Sequence, residues 1–71
     1  MKRYAVVVER AGGNYSAYVP DLPGCVAIGE TVAETERLLR EAIALHVAGM
    51  RDDGLPVPEP SSVVDYVEVS A

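Results

Sequence analysis

The chain is poor in the residues that cross-link small proteins. Its 71 residues include one cysteine, Cys25, and one histidine, His46. An intrachain disulfide needs two cysteines, and a structural zinc site needs a larger set of Cys and His ligands than this chain offers. A domain of this size buries only about 60% of the surface that its unfolded chain exposes, so its core is thin. We therefore expect a homodimer or higher homo-oligomer, with no metal and no other cofactor.

Long apolar runs and excess positive charge are also missing. The apolar run at residues 4–8 is ended by Glu9 and Arg10, which makes it too short for a secretory signal peptide, and no other stretch approaches the ~20 apolar residues of a transmembrane helix. Eleven acidic residues against six basic ones give a net charge of −5, and such a surface repels the phosphate backbone of nucleic acids. A lone cysteine fits a reducing compartment. We expect one domain over residues 1–71 that is cytoplasmic, touches no membrane, binds no nucleic acid directly and suits docking onto a basic protein.

Three segments in the first half of the chain are predicted to be β-strands. Residues 2–9 are dominated by Tyr and Val, which favour the pleated conformation. Residues 11–14 contain Gly and Asn and form a turn, so residues 15–19 return as the second strand of a hairpin. Residues 20–24, Pro-Asp-Leu-Pro-Gly, form a rigid turn, because proline cannot donate a ladder hydrogen bond and Gly supplies a positive φ. Residues 25–28 follow as a short third strand.

An amphipathic helix is predicted next. Thr31 is a suitable N-cap, and Glu34 stands at the capping-box spacing from it. Gly54 is suited to the C-cap, with Pro56 close behind. Between these signals, side chains recur at helical spacing and define a face for the sheet. That face comprises Val32, Leu38, Leu39, Ala42, Ile43, Leu45, His46, Val47 and Met50.

The chain after the helix is predicted to be extended. Three prolines at alternate positions within residues 55–60 exclude a helix there. This segment is either a spacer that returns the chain to the sheet, which we favour, or a strip that lies against a partner. Residues 63–69 are rich in Val and form a predicted fourth strand. The order β-β-β-α-β indicates an α+β fold, with an antiparallel sheet and one helix packed on one face.

Four features of the sequence occur together, and in one order, in a known protein family. They are Tyr4 in a Val-rich opening strand, Tyr-Ser-Ala-Tyr-Val-Pro-Asp-Leu-Pro-Gly-Cys at residues 15–25, Gly-Glu-Thr at residues 29–31, and a helix with Glu-Ala-Ile at residues 41–43 followed by Asp-Gly-Leu-Pro-Val-Pro-Glu-Pro-Ser at residues 53–61. The Pro-Asp-Leu-Pro-Gly-Cys part is the most specific of them. By these features the chain resembles the HicB-like antitoxins of bacterial toxin–antitoxin systems, and the resemblance covers nearly its whole length.

The resemblance implies a fold, a partner and a function. Such domains resemble a degraded ribonuclease H-like fold, and they bind a small basic toxin that cleaves mRNA and block its active site. Many family members also carry a C-terminal ribbon-helix-helix or helix-turn-helix segment that binds DNA. This chain ends at Ala71, directly after the predicted fourth strand, so we expect a short form that does not itself bind an operator. The alternative is a stand-alone structural or regulatory domain without a toxin, which self-associates through its sheet edges.

Five side chains are candidates for contact with a partner protein. Tyr15 and Tyr18 lie on opposite faces of the second predicted strand, and Tyr66 lies on the fourth; tyrosine is common at interfaces but is also an ordinary strand residue. Asp21 lies in the proline-rich turn, which its own side chain can also stabilise. His46 falls within the apolar stripe of the helix, where it is either a partly buried, hydrogen-bonded ring or a contact at an interface.

No catalytic residue is expected. A ribonuclease H-like active site needs several carboxylates that converge on Mg²⁺, and no spacing brings the acidic residues outside the helix together. Cys25 has only His46 to activate it and is better explained as a small buried apolar residue. The dispersed acidic residues are Glu9, Asp21, Glu30, Asp65 and Glu68.

The position of His46 in the stripe gives a first prediction. Replacing His46 by Leu should leave the chain folded, because the apolar side chain suits the same face of the helix. Thermal unfolding followed by circular dichroism measures this. A variant that no longer folds would show that the polar atoms of the imidazole are required.

Overall fold

The computed structural model describes residues 2–71 and contains three strands and one helix. Strand β1 spans Val7–Ala11, β2 spans Asn14–Tyr18, β3 spans Val26–Gly29, and helix α1 spans Val32–Asp52. The strands form one sheet in the order β1-β2-β3, and both pairs are antiparallel. The predicted α+β class, with an antiparallel sheet and one helix on one face, is confirmed.

Side chains alternate between two faces of the sheet. Val8, Ala17 and Ala27 are cross-strand neighbours on the face that packs against the helix. The opposite surface, called the outer face here, has no layer packed on it within the described part of the chain. The outer face consists of Val7, Glu9, Ser16, Tyr18, Val26 and Ile28.

The core lies between the inner face and the helix and is small. Leu39 of α1 and Leu22 of the turn between β2 and β3 are its largest buried apolar side chains. The turn folds inward because the Leu22 amide donates to the Val19 carbonyl and the Cys25 amide donates to the Leu22 carbonyl, both at 3.1 Å. Gly24 completes the turn with the predicted positive φ of 83°. The buried apolar residues are Ala17, Val19, Leu22, Cys25 and Leu39.

Both ends of the helix carry the predicted caps. The Thr31 hydroxyl accepts a hydrogen bond from the Glu34 amide at 3.0 Å. At the other end Asp53 is the cap residue, and Gly54 follows it with a φ of 71°. The Gly54 amide donates to the Arg51 carbonyl at 3.1 Å, and the next amide donates to the Met50 carbonyl at 2.8 Å. These two bonds form a Schellman motif, which satisfies carbonyls that the helix end would otherwise leave unpaired.

The first strand is shorter at its start than predicted. Residues 2–6 lie outside the ladder, and pairing begins at Val7 opposite Tyr18. One reason lies in the opposite strand: continued in the same register, residue 5 would pair with Pro20, which has no amide hydrogen to donate.

The helix face also differs in part from the predicted stripe. Leu45 is 76% exposed, whereas Thr35, which the stripe omits, is completely buried. The Thr35 hydroxyl donates to the Thr31 carbonyl at 2.7 Å, so this buried polar group is satisfied inside the helix. Thr35 lies against Gly29, whose missing side chain allows the close approach.

The predicted fourth strand is not part of the sheet. Residues 63–69, called the tail here, follow the helix and the proline-rich segment but pair with neither edge strand. The tail side chains are open to solvent: Val63 is 89% exposed, Tyr66 91% and Val67 83%. The prediction of a fourth strand is therefore wrong for the described structure, because the tail has no pairing partner within its own chain.

The contact between β3 and the helix gives a prediction. A Cβ added at Gly29 would lie 2.6 Å from the Thr35 hydroxyl oxygen and 2.9 Å from its backbone nitrogen. Gly29→Ala should therefore lower the free energy of unfolding by about 1–3 kcal/mol, the usual cost of overpacking.

Gly49→Ala is the matched control, because a Cβ at Gly49 meets no atom within 4 Å. Alanine in a helix is more favourable than glycine by about 0.5–1 kcal/mol, so this variant should be more stable than the parent chain. Urea denaturation measures both. Equal effects of the two substitutions would contradict the close packing of Gly29 on Thr35.

Candidate partner-binding surfaces

The five candidate contact residues lie on different surfaces. Tyr18 lies on the outer face and is 42% exposed, whereas Tyr15 is half-buried on the inner face. His46 is half-buried on the helix, Asp21 lies in the turn after β2, and Tyr66 lies in the tail. The structure therefore does not bring the five together as one site, and their contact with a partner stays a prediction.

The outer face presents a row of apolar side chains to solvent. Val7, Tyr18 and Val26 are direct cross-strand neighbours in the ladder. Val26 is 61% exposed, and Ile28, further along the same strand, is 63% exposed. Glu9 lies on the same face and adds negative charge. Clustered apolar groups with an acidic border are suited to binding a protein surface.

Asp21 joins the turn after β2 to the chain that follows the helix. One carboxylate oxygen, Oδ2, accepts from the amides of Ser61 at 2.9 Å and Ser62 at 3.0 Å. The other, Oδ1, accepts from the hydroxyl of Ser61 at 3.1 Å and of Ser62 at 2.8 Å. These bonds, the Ser62 amide first, lower the pKa of Asp21 to about 2. The side chain thus fixes a segment forty residues away in addition to its place in the turn.

The proline-rich segment packs against the start of the same chain. The Tyr4 hydroxyl donates to the Pro58 carbonyl at 2.6 Å, and the Lys2 ammonium lies 2.9 Å from a carboxylate oxygen of Glu59. The Lys2–Glu59 pair is exposed and contributes little to stability. Residues 55–60 therefore lead the chain past its own N-terminal residues to the Asp21 turn.

A groove runs between the first residues of the chain and the helix. It arises because α1 packs mainly over β3 and β2 and barely contacts β1. Two adjoining hollows of about 410 and 350 Å³ make up this groove, called the β1–α1 groove here. Apolar side chains line it, together with Lys2 on the side of the first residues, Arg40 and Arg51 on the helix side, and Glu36 as the acidic residue. Its apolar lining includes Tyr4, Val6, Leu39, Ile43 and Val47.

Chemistry at Cys25 is disfavoured by its surroundings. Cys25 is 3% exposed, and burial raises the pKa of its thiol, so the nucleophilic thiolate is suppressed. Among residues 2–71, no three His, Cys, Asp or Glu side chains come close enough together to hold a metal ion. Over the same residues, the one helix is not apolar enough to cross a membrane.

The four bonds to Asp21 give a pH-dependent prediction. Asn in place of Asp21 offers one acceptor oxygen instead of two and no charge, so Asp21→Asn should be less stable than the parent chain near neutral pH. Folding lowers the pKa of Asp21 from 3.8 to about 2. The contribution of the carboxylate to the free energy of unfolding is therefore complete at pH values above the pKa of the unfolded state. This contribution is lost as the pH falls through the pKa of the folded state.

The difference in unfolding free energy between the parent chain and Asp21→Asn should be constant above about pH 5, shrink as the pH falls below 3.8 and be largely lost below about pH 2. Urea denaturation at a series of pH values measures it. Asp52→Asn makes the same chemical change at an exposed side chain at the end of the helix and should alter stability little at any pH. A difference for Asp21→Asn that did not change with pH would contradict the role given to the carboxylate.

Similar proteins occur in bacteria and in a bacteriophage. The chain is 34% identical over 65 residues to a UPF0150 protein of Helicobacter pylori, covering 90% of each protein. It is 34% identical over 67 residues to a UPF0150 protein of Synechocystis, covering 93% of this chain and 85% of the other. A 14.9 kDa protein from the rep-hol intergenic region of Haemophilus phage HP1 is 33% identical over 64 residues, and there the chain spans about half, 48%, of its relative.

The fold and the sequence point to one family. A chain of the solved HicA3 and HicB3 toxin–antitoxin complex superposes with a TM-score of 0.71 at 28% identity, covering 83% of this chain and 70% of the other. The sequence model of the HicB_like antitoxins of bacterial toxin–antitoxin systems matches residues 4–70. The chain therefore belongs to the HicB-like antitoxin family.

Proposed function

We propose that this chain is an antitoxin module that binds a small basic toxin which cleaves mRNA, and that it masks the active site of that toxin. Its likeness to a chain of the HicA3 and HicB3 complex, in sequence as well as in fold, is the observation that carries the proposal. Membership of an antitoxin family implies binding and not catalysis. Because an mRNA-cleaving toxin acts where mRNA is translated, the pair works in the cytoplasm.

The charge of the chain supports a basic partner. A net charge of −5 on 71 residues attracts a basic protein over a distance of about a Debye length and speeds the encounter. The same charge repels RNA, the substrate of the toxin. An acidic surface held over a basic, RNA-binding active site would compete with the substrate directly.

The outer face is the surface that we assign to the toxin. A stable protein interface needs exposed apolar side chains at its centre and polar groups at its rim. Tyr18 and its neighbour Val26 supply the centre, since both are exposed in one cross-strand row. Glu9 supplies acidic charge on the same face. Tyr18 is thus the one of the five candidate residues that this surface includes.

Val26→Lys is the variant that tests this assignment. It places a positive charge at the centre of the outer face, which should repel a basic toxin, whereas the side chain is exposed enough for the fold to tolerate the change. We expect affinity for a candidate toxin, a small basic protein encoded in an adjacent reading frame, to fall at least ~10-fold, as at an interface hot spot. Calorimetric titration and an mRNA-cleavage assay with the purified pair measure binding and masking separately.

Leu45→Lys is the matched control. It adds the same charge at a side chain that is 76% exposed on the helix, so affinity and inhibition should stay close to those of the parent chain. Equal losses for Val26→Lys and Leu45→Lys would indicate an effect of net charge alone and would remove the outer face from the proposal. Absence of any complex between the parent chain and the adjacent basic protein would refute the antitoxin function itself.

A further inference from the structure

The tail has the sequence of a strand but no sheet to join in its own chain. Valines and a tyrosine occupy five of its seven positions, and Asp65 and Glu68 occupy the other two. Fully extended, seven residues reach about 23 Å, enough to run along a whole strand of another molecule. Large apolar side chains that are 83–91% exposed, such as Val63, Tyr66 and Val67, are unfavourable in water unless a partner covers them.

The Asp21 turn fixes the residues from which the tail departs. Ser61 and Ser62, directly before the tail, are each bound to Asp21 through amide and hydroxyl. The radius of gyration is 13.7 Å, against about 11 Å for a compact chain of this length. The chain is thus elongated, with its tail projecting from the body.

The β1–α1 groove fits the tail in shape and in charge. A strand added to the open edge of β1 would turn alternate side chains toward the helix, over the apolar lining that Tyr4 and Val6 provide. Arg40 and Arg51 stand on the helix side of this groove. Their charge is opposite to that of Asp65, which lies on the same face of an extended tail as Val67 and Val69. The edge itself offers unpaired backbone groups, which a further strand satisfies.

We propose that the tail of one copy of this chain adds as a strand to the β1 edge of a second copy, and that the second copy returns the same contact. Alternate tail side chains, Val67 and Val69 among them, fill the β1–α1 groove of the partner, and Asp65, on the same face of the extended tail, lies toward its arginines. The exchange is symmetric, so each copy donates one tail and accepts one. This goes beyond toxin binding, because it uses a different surface and a second copy of the same chain.

The surface area of the chain agrees with this exchange. A compact monomer of 7.6 kDa exposes about 4,300 Å², whereas this chain exposes 5503 Å². The excess of about 1,200 Å² exceeds the roughly 800 Å² that each partner buries in a standard interface. Burying the tail and the groove would therefore bring each copy close to the exposure of an ordinary folded domain.

Val67→Lys tests the exchange through the mass in solution. Val67 is 83% exposed within its own chain, so the substitution should leave the monomer folded, whereas a lysine in the pairing strand opposes edge-to-edge pairing. Light scattering should give about twice 7.6 kDa for the parent chain and 7.6 kDa for Val67→Lys. Val26→Lys, the same change on the outer face, should keep the mass of the parent chain.

Isotope-filtered NMR identifies the contact itself. Labelled and unlabelled parent chains are unfolded, mixed and refolded together, so that only contacts between copies are detected. We expect cross-peaks between the methyl groups of Val67 or Val69 and the side chains of Tyr4 or Ile43. Their absence from the mixture overturns the proposal, as does a monomeric mass for the parent chain or an unchanged mass for Val67→Lys.

Failure of this proposal and failure of toxin binding are distinguishable. A toxin complex lost in Val26→Lys but kept in Val67→Lys leaves the antitoxin function intact, whatever the mass measurements show. The converse result is a dimer that Val26→Lys dissociates and that Val67→Lys leaves intact. That result would mean that the copies pair through the outer face, and it would overturn the tail exchange.

Discussion

A single helix of 21 residues can cover only one face of the sheet, and it lies mainly over two of the three strands. This limit on coverage determines what the rest of the surface is. The outer face stays open because no second layer exists in residues 2–71. The groove beside β1 stays open because the helix packs toward β3, where Gly29 lets Thr35 approach closely. Few side chains are buried and no disulfide links the chain, while the outer face and the groove are both apolar. Covering these surfaces with a partner would therefore stabilise the protein.

Local signals in the sequence predicted most of the fold. The Thr31 cap, the positive φ of Gly24 and the glycine after the helix are set by neighbouring residues, so the sequence around each of them was sufficient. The hairpin and the third strand were found within one or two residues for the same reason. The start of β1 differs from the prediction because its limit depends on the opposite strand, where Pro20 has no amide hydrogen to continue the ladder.

Non-local contacts were what the sequence could not reveal. Thr35 is polar, so the apolar pattern of the helix does not include it, yet its burial depends on a glycine in another element and on its own bond to Thr31. The bonds from Asp21 to Ser61 and Ser62 join positions forty residues apart, and no spacing rule anticipates them. For the tail, the prediction of a fourth strand is wrong, because strand pairing is a property of two segments and composition describes only one.

The outer face and the tail lie on separate parts of the molecule, so a small antitoxin can use one surface for a toxin and the other for a second copy of itself. A thin core leaves little stability to spare, and a chain that buries its tail and groove against a second copy gains apolar burial without occupying the outer face. Association with the second copy and binding of a toxin would then add to each other and not compete. The Asp21 turn links the two surfaces, because it continues β2, which carries Tyr18, and also fixes the residues from which the tail departs.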